Sequence, residues 1–487
     1  MVHDVAVVGG GPAGLAAAAA AAAAGCRVAL LDSGSRVGGQ YWRHPPAGPD
    51  ADLHHDLATF ERLAGALGAV EVLTGHDVWT VQRDDPDFVI RTTDGERDRA
   101  LRARHVVLAP GAYDRQLPFP GWDLPGVMTA GGVQALLKGH GVLAGRRVVI
   151  AGTGPFLLAV AAGLAGRGAE VGGVFDANPR RRWLREPVAV ARNAGKLAEA
   201  AAYQAALARR RIAVRTGRAV IEAHGSIGGA GLAAVTVARL DRDWRVIAGS
   251  EERLAADVLA VGWGFTPQLE LALAVGCPTR VGPDGSLVVH VDDRQRAAQG
   301  VYVAGEATGV GGAALAVVEG EIAGRTAAAA LGRSVLRRSV LRRSVLGRPA
   351  SVPRTLLRRR ARLRAFAAAM HRAHPVRDGW RSWLRDGTVI CRCEEVEWAS
   401  VRDAVRALGA TDPRTAKLLT RAGMGWCQGR VCGYAVARLV AAEAGTPYDP
   451  RAFAERPMAT PVRLGALADD GADDDETADD EEGGPSR

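Results

Sequence analysis

Four of the six cysteines fall within 42 residues, as Cys391-x-Cys393 and, after 33 residues, Cys427-x-x-x-x-Cys432. Four thiolates can hold a [2Fe-2S] cluster. Structural zinc also takes four thiolates, but usually from C-x2–4-C pairs, and a C-x-C pair is less typical of it. Unligated thiols are the third alternative. Gly423, Gly425, Gly429 and Gly433 surround the second pair. Bare backbone there lets N–H groups reach the sulfurs and tune a cluster. Cys26 and Cys277 lie far from the other cysteines in sequence and read as inert small hydrophobes.

The second chemistry is that of phosphate binding. Gly9-x-Gly11-x-x-Gly14 follows an apolar run, Val5 to Val8, and opens an alanine-rich helix, Leu15 to Ala24. In such a turn the first glycine makes the bend, the second lets backbone approach a pyrophosphate, and the third lets helix and strand pack. The positive helix end then faces the phosphates. Asp32 stands 18 residues beyond Gly14, at the tip of the next strand (Arg27 to Leu31), where a carboxylate can accept ribose hydroxyls. A glycine turn without ligand is the alternative. The fingerprint does not choose between FAD and NAD, but two segments favour FAD. Gly305-Glu306 stands where flavoproteins with two dinucleotide units place a Gly-Asp pair near the ribityl phosphate, with Glu one methylene longer. Val106 to Ala112 has the look of the strand and turn that close such FAD domains, with Pro110 where Thr is usual.

A weaker copy of the unit begins at Val148 to Ala151, turns at Gly152-Thr153-Gly154-Pro155, runs as a helix over Phe156 to Gly166 and ends in a strand at Asp176. Leu157 replaces the third glycine, so looser packing is expected. Asp176 is placed to hold an NAD ribose, while Arg180, Arg181 and Arg182 are placed to hold a 2′-phosphate or another phosphate. The second site is therefore open to NAD(P), to another adenine nucleotide, or to no nucleotide at all. No Ser–His–Asp arrangement, zinc-protease motif or P-loop lysine is present. No Cys-x-x-Cys lies in either nucleotide unit, which argues against a thioredoxin-reductase-type dithiol.

The expected fold is α/β: two Rossmann-like dinucleotide-binding domains and a small, mainly helical [2Fe-2S] domain. The FAD domain is discontinuous, 1–118 and 285–331. The second nucleotide domain is 119–284, an Arg-rich linker 332–384, the cluster domain 385–445, and an extension with an acidic tail 446–487. With 487 residues the chain has room for several cores. At 48% hydrophobic and 24% charged it is ordinary for a globular protein. The net charge of +9 hides a tail, Asp469 to Arg487, with ten acids and one base. The basic excess is nearly all arginine, so it reads as composition bias and not as a nucleic-acid footprint. The apolar run Ala16 to Ala24 is far shorter than the ~20 residues of a membrane span and lacks the basic lead of a signal peptide. The expected location is the cytoplasm. Arg333 to Gly347 repeats the unit Arg-Ser-Val-Leu-Arg three times, with Gly347 ending the last, and twelve arginines with no acid lie from Arg333 to Arg364. That stretch reads as a solvated, expanded linker or as a docking strip for an acidic partner. The tail is too acidic to bury and is expected to be disordered.

These residues also carry a resemblance, over roughly 1–440. The chain resembles the larger, FAD-containing subunit of opine oxidases, a group similar to the corresponding subunits of hydrogen cyanide synthase and of hydroxyproline and dye-linked proline dehydrogenases. It rests on Gly9 to Gly14, on Gly38-Gly39-Gln40-Tyr41-Trp42-Arg43, on Pro110 to Lys138, on Gly152 to Pro155, on Cys391 to Val396 and on Arg421 to Cys432. The last segment is similar to bacterioferritin-associated-ferredoxin [2Fe-2S] domains. Glu306, the arginine repeat and the acidic tail depart from the family pattern. The resemblance implies that Gly39 and Gln40 join the FAD site. It also implies that a smaller, amino-acid-oxidase-like flavin subunit oxidises the C–N bond of an amino acid, imino acid or opine. This chain then carries FAD and the cluster and passes electrons to an acceptor that the sequence does not name. Rival readings are a stand-alone NAD(P)H-dependent flavoprotein reductase and an iron–sulfur or zinc scaffold without flavin.

Overall fold

The computed structural model describes residues 2–226, 231–332, 352–454, 456 and 458–468. The arginine repeat and the acidic tail therefore lie outside the described residues.

The first glycine turn sits at the centre of an eight-stranded sheet. Strand Val2–Val8 pairs in parallel with Val28–Asp32 on one side and Asp98–Leu108 on the other. Val70–Thr74 extends one edge and Val301–Val303 the other. The strand that ends in the turn thus lies where the strand order reverses, the position at which open α/β sheets bind ligands. Helix Pro12–Ala23 follows the turn and lies against helix Ala313–Ala330. Their backbones nearly touch: a Cβ on Gly320 would lie 1.9 Å from Ala13 O, and one on Gly324 2.2 Å from Ala17 O. Alanine on one helix and glycine on the other are what so close a crossing demands.

The second unit is a five-stranded sheet centred on Arg147–Gly152, flanked by Glu170–Asp176 and Val258–Gly262 in parallel. Three antiparallel strands, Arg218–Gly225, Leu232–Arg239 and Glu252–Ala255, pack on it. The expected looseness at Leu157 is not observed. Leu157 is buried, and a Cβ on Gly262 would lie 3.1 Å from its Cδ2. The small residue that this packing needs has moved to the neighbouring strand.

The chain crosses between the two units at Ala112–Asp114 and again at Phe265–Pro267, and these strands pair antiparallel. Leu269, Leu271, Ala272 and Cys277 then join the first sheet's core. The return to the first unit therefore comes before the expected 284/285 boundary, because these apolar side chains cover the sheet face that carries Val8 and Leu31.

The segment expected to be an expanded linker is structured over much of its described length. Arg354–Ala373 is a 20-residue helix. Arg360 and Arg364 reach from it to the fully buried Glu319, with Arg364 Nε 2.8 Å from Oε1 and Nη2 2.8 Å from Oε2. A buried carboxylate with two guanidinium partners holds this helix to the first unit.

The cysteine module is not a satellite. Its hairpin (Val389–Cys391 with Val396–Glu397) and helices Trp398–Arg406, Pro413–Thr420 and Gly433–Ala444 share one hydrophobic core with the second unit. The short helix Asp378–Trp383, expected in the linker, belongs to this core. Trp383 stacks on Trp244 with ring centroids 6.3 Å apart and donates to Trp244 O at 3.1 Å. Trp122 of the second unit donates from Nε1 to Val389 O of the hairpin. No helix among the described residues is long and apolar enough to cross a membrane.

Candidate functional site

At the first turn each glycine has a separate physical reason. Gly9 has φ +99°, and a Cβ on it would strike Ala109 O at 2.2 Å. A Cβ on Gly14 would strike Gly9 O at 1.7 Å. These two positions are closed by backbone. Gly11 differs: only Gly39 Cα lies near a Cβ placed there, at 3.8 Å. It faces open space, as a pyrophosphate site requires. Gly39, at φ +58°, packs its Cα against Gly11, so the Gly38–Arg43 segment closes one wall of the cradle. Gln40 follows Gly39, its Oε1 accepting from Arg43 Nε at 3.1 Å.

Asp32 stands at the strand tip as expected. Its Oδ2 accepts from Gly10 N and its Oδ1 from Gly34 N at 2.7 Å. Burial raises its carboxyl pKa, against the lowering effect of those two N–H groups. It thus fixes the turn. Gly305 joins this site, since a Cβ on it would meet Ala13 Cβ at 3.0 Å. Glu306 is held by the backbone that follows it. Its carboxylate accepts from Gly311 N at 3.0 Å and Gly312 N at 2.9 Å, at the positive start of helix Ala313–Ala330. The extra methylene lets the side chain reach donors that lie beyond an Asp. The tie from Arg364 arrives at the same turn: Arg364 Nη1 donates to Gly309 O at 2.7 Å, and Thr308 Oγ1 donates to Glu319 Oε2 at 3.0 Å. Neither Glu319 nor Arg364 stood out in the sequence. Buried acids and the arginines that match them leave no local pattern.

At the second turn Gly152, Gly154 and Asp176 come together, with strand Glu170–Asp176 beside Arg147–Gly152. Gly154 is open, with nothing within 4 Å of a Cβ placed there. Asp176 is engaged by its own chain. Its Oδ1 accepts from Asn178 N at 2.9 Å, and its Oδ2 lies 3.4 Å from His374 Nδ1. The two cradles sit on separate sheets, each at its own central strand.

The four thiols lie as two neighbouring pairs, Cys391 with Cys432 and Cys393 with Cys427. Among the described residues no three metal-ligating side chains converge on a single point. Two pairs suit a two-iron cluster, which takes two thiolates per iron, better than a single tetrahedral zinc. The backbone is aimed at sulfur: Gly423 N lies 3.4 Å from Cys391 Sγ. The Cys391 thiol is lowered to about 6 by its hydrogen bond with Cys432 and, against burial, by N–H groups of Gly423, Glu394 and Cys393. Its partner Cys432 is pushed up by the same hydrogen bond and by burial. A thiol pair lined by N–H donors suits a positive metal centre. Gly425 has to be glycine, because a Cβ there would lie 2.3 Å from Cys393 Cβ.

Two further supports were missed. Phe453, from the expected extension, packs on Gly423, Gly429 and Gly433, with added Cβ atoms 2.8, 2.9 and 3.0 Å from its ring. Arg430 of the cysteine loop pairs with buried Glu270 at 3.1 Å and donates to Tyr113 Oη at 3.0 Å. Arg456 Nη1 donates to the same oxygen, Glu270 Oε1, at 2.8 Å. The cysteine loop is thereby tied to the crossing strand Ala112–Asp114 and to the first unit. Glycines clustered around the cysteines were the one signal for a capping ring; nothing local pointed to Glu270.

Comparison with known proteins agrees with this geometry. The sequence profile of the pyridine nucleotide-disulphide oxidoreductases matches residues 3–331, and that of the BFD-like [2Fe-2S] binding domain matches residues 389–442. An opine oxidase subunit of Rhizobium meliloti is 33% identical over 96% of this chain and 87% of its own length. Hydrogen cyanide synthase subunit HcnB of Pseudomonas protegens is 32% identical over 89% of this chain and 91% of its own. The fold matches the crystal structure of L-proline dehydrogenase from P. horikoshii with TM-score 0.64 and 21% identity, over 96% of this chain and 79% of that one. The first profile spans a flavin cradle that is built and open, and the second spans the paired thiols. The chain therefore belongs to the FAD-dependent pyridine nucleotide-disulphide oxidoreductase family, in a form that carries its own [2Fe-2S] domain.

Proposed function

We propose that this chain is the electron-transfer subunit of a dehydrogenase or oxidase that acts on the C–N bond of an amino acid, imino acid or opine. One observation carries the reading. The cysteine loop is locked through Arg430, Glu270 and Arg456 to the seam between the two nucleotide units and does not swing on a free arm. A relay needs its centres held at fixed separation in a controlled dielectric. The relatives' names, one a subunit of opine oxidase and the other of hydrogen cyanide synthase, support a multi-subunit enzyme.

In this reading Gly9, Gly11 and Gly14 receive the FAD pyrophosphate, Asp32 orients its ribose, and Gly39 closes the cradle. Cys391 with Cys432 hold one iron, and Cys393 with Cys427 the other. FAD exchanges electrons in pairs or singly, and the cluster passes them one at a time. Arg364 and Glu319 keep the Gly305–Thr308 turn in place, while Phe453 shields the cysteine loop. The substrate pocket, with the groups that orient a Cα–H toward a flavin, is supplied by a smaller flavin subunit.

Coexpression tests this. Dye reduction by amino acids or opines is expected from the complex with an oxidase-like subunit, and not from this chain alone. Equal activity from the isolated chain would refute the division of labour.

A further inference from the structure

The second glycine turn is open at Gly154, yet its acid is not free. Helix Arg354–Ala373 runs into a short segment, His374 to Arg377, that lies across the end of strand Glu170–Asp176. Asn178 links them: its Nδ2 donates to Thr153 Oγ1 at 2.7 Å and to Pro375 O at 3.0 Å. Trp183 Nε1 donates to His374 Nε2 at 3.0 Å, which leaves the ring proton on Nδ1, facing Asp176 Oδ2 at 3.4 Å. Trp183 also stacks on Phe366 of the helix, with centroids 5.7 Å apart. Arg182, a candidate for a 2′-phosphate, instead donates to Arg372 O at 3.1 Å, and Arg372 makes a two-point pair with Glu186 at 2.7 Å. Of the groups expected to read a nucleotide ribose or its phosphate on this side, Asp176 and Arg182 are thus engaged by this helix and the segment that follows it, whereas Arg180 Nη1 donates to Gln204 Oε1 at 3.5 Å.

We infer that residues 374–377 are a specificity-determining segment: they occupy the ribose side of the second turn and exclude NAD(P)H from it. A dinucleotide that reads its ribose through an acid at this strand tip has to displace a ligand that is covalently attached. Short tethers present such a ligand at about millimolar effective concentration, and a free cofactor competes against that. The unit then stays a rigid platform for the cysteine module, and electrons enter from elsewhere. This goes beyond the proposed function: it concerns which donor the chain refuses, whatever the substrate of the complex is.

The test is equilibrium titration of the full FAD- and iron-loaded chain with NADH and NADPH, followed by nucleotide fluorescence. Wild type is expected to show no saturable binding below millimolar nucleotide. The double variant His374→Ala/Asn178→Ala frees Asp176 Oδ2 and Thr153 Oγ1, with the backbone bond to Asp176 Oδ1 retained, and is expected to bind NADH at least about fivefold more tightly, the equivalent of one freed hydrogen-bonding group. Adding Asp176→Ala to it should remove the gain. The single variant His374→Ala keeps the Asn178 bridge and is expected to move in the same direction, so it decides the matter if the double variant unfolds. Micromolar NAD(P)H binding by wild type would overturn the inference. So would a folded, open variant that gains nothing, or a gain that survives Asp176→Ala.

Discussion

Gly11 and Gly14 are three residues apart and constrained by opposite things. Gly14 is closed by Gly9 O, 1.7 Å from where its Cβ would be, whereas Gly11 has only Gly39 Cα at 3.8 Å. Gly11→Val is therefore expected to fold with a near-normal melting temperature while losing most of its FAD, read as the flavin-to-protein absorbance ratio. Full flavin occupancy would make the turn purely structural. Cys427→Ser removes one member of a thiol pair that touches neither cradle, and should abolish the [2Fe-2S] absorption and reduced-state EPR signal with flavin retained. Zinc without iron in an anaerobic wild-type preparation would contradict the cluster. Lys138 offers a pH test. It is buried, donates to Tyr41 O at 3.0 Å, and burial lowers its ammonium pKa from 10.5 to about 8. Below pH 8 the folded state carries the buried charge. Between 8 and 10.5 the unfolded chain holds the proton and the folded one does not, so stability rises with pH across that window. Lys138→Met is expected to stabilise by ~1–3 kcal/mol at pH 7, after loss of the Tyr41 hydrogen bond. The gain should fade by pH 10.5 in urea unfolding, and a gain independent of pH would show that charge burial is not its cause.

Between elements the chain relies on close approach and on buried charge. Gly320→Val would drive a side chain into Ala13 O and prise helix Ala313–Ala330 off the alanine helix. Overpacking against backbone costs about 1–3 kcal/mol or more, and FAD should be lost with it because Gly305 and Ala13 share the cradle. Retained flavin at wild-type stability would mean that the helices can part without harm. Glu319→Leu removes the buried carboxylate that Arg360 and Arg364 share and is expected to cost ~3–5 kcal/mol in urea unfolding. The elements themselves were largely legible. Phe156 to Gly166 is a helix as read, and the strands at Val28–Asp32, Arg147–Gly152 and Val301–Val303 fall where short apolar runs put them. Local pattern suffices for a buried parallel strand followed by a glycine turn. What it does not carry is the pairing of distant charges. Arg354 to Arg364 looks like a solvated run because its partner, Glu319, lies far back along the chain. The Gly320-x-x-x-Gly324 spacing was visible, but its meaning depends on which helix lies opposite.

Across the whole molecule, the site residues that sequence spacing grouped are brought together, and the surprise lies in how they are connected. The thiol module shares a tryptophan-rich core with the second unit, and its cysteine loop is anchored on Glu270 of the first. Near its C-terminal end one helix touches the loop after Glu306, where His371 Nε2 lies 2.8 Å from Val310 O, and three residues on, at His374, its strap reaches Asp176. Such a body suits the proposed relay, in which substrate orientation falls to a partner. An amine-oxidising site has to fix a Cα–H against a flavin. Anaerobic mixing of the isolated, FAD-loaded chain with proline, hydroxyproline, glycine and opines, while following flavin absorbance, tests that claim most directly. The account predicts negligible bleaching by any of them alone and rapid bleaching once the smaller flavin subunit is added. Full, fast bleaching with no partner present would place the substrate site in this chain and contradict the account.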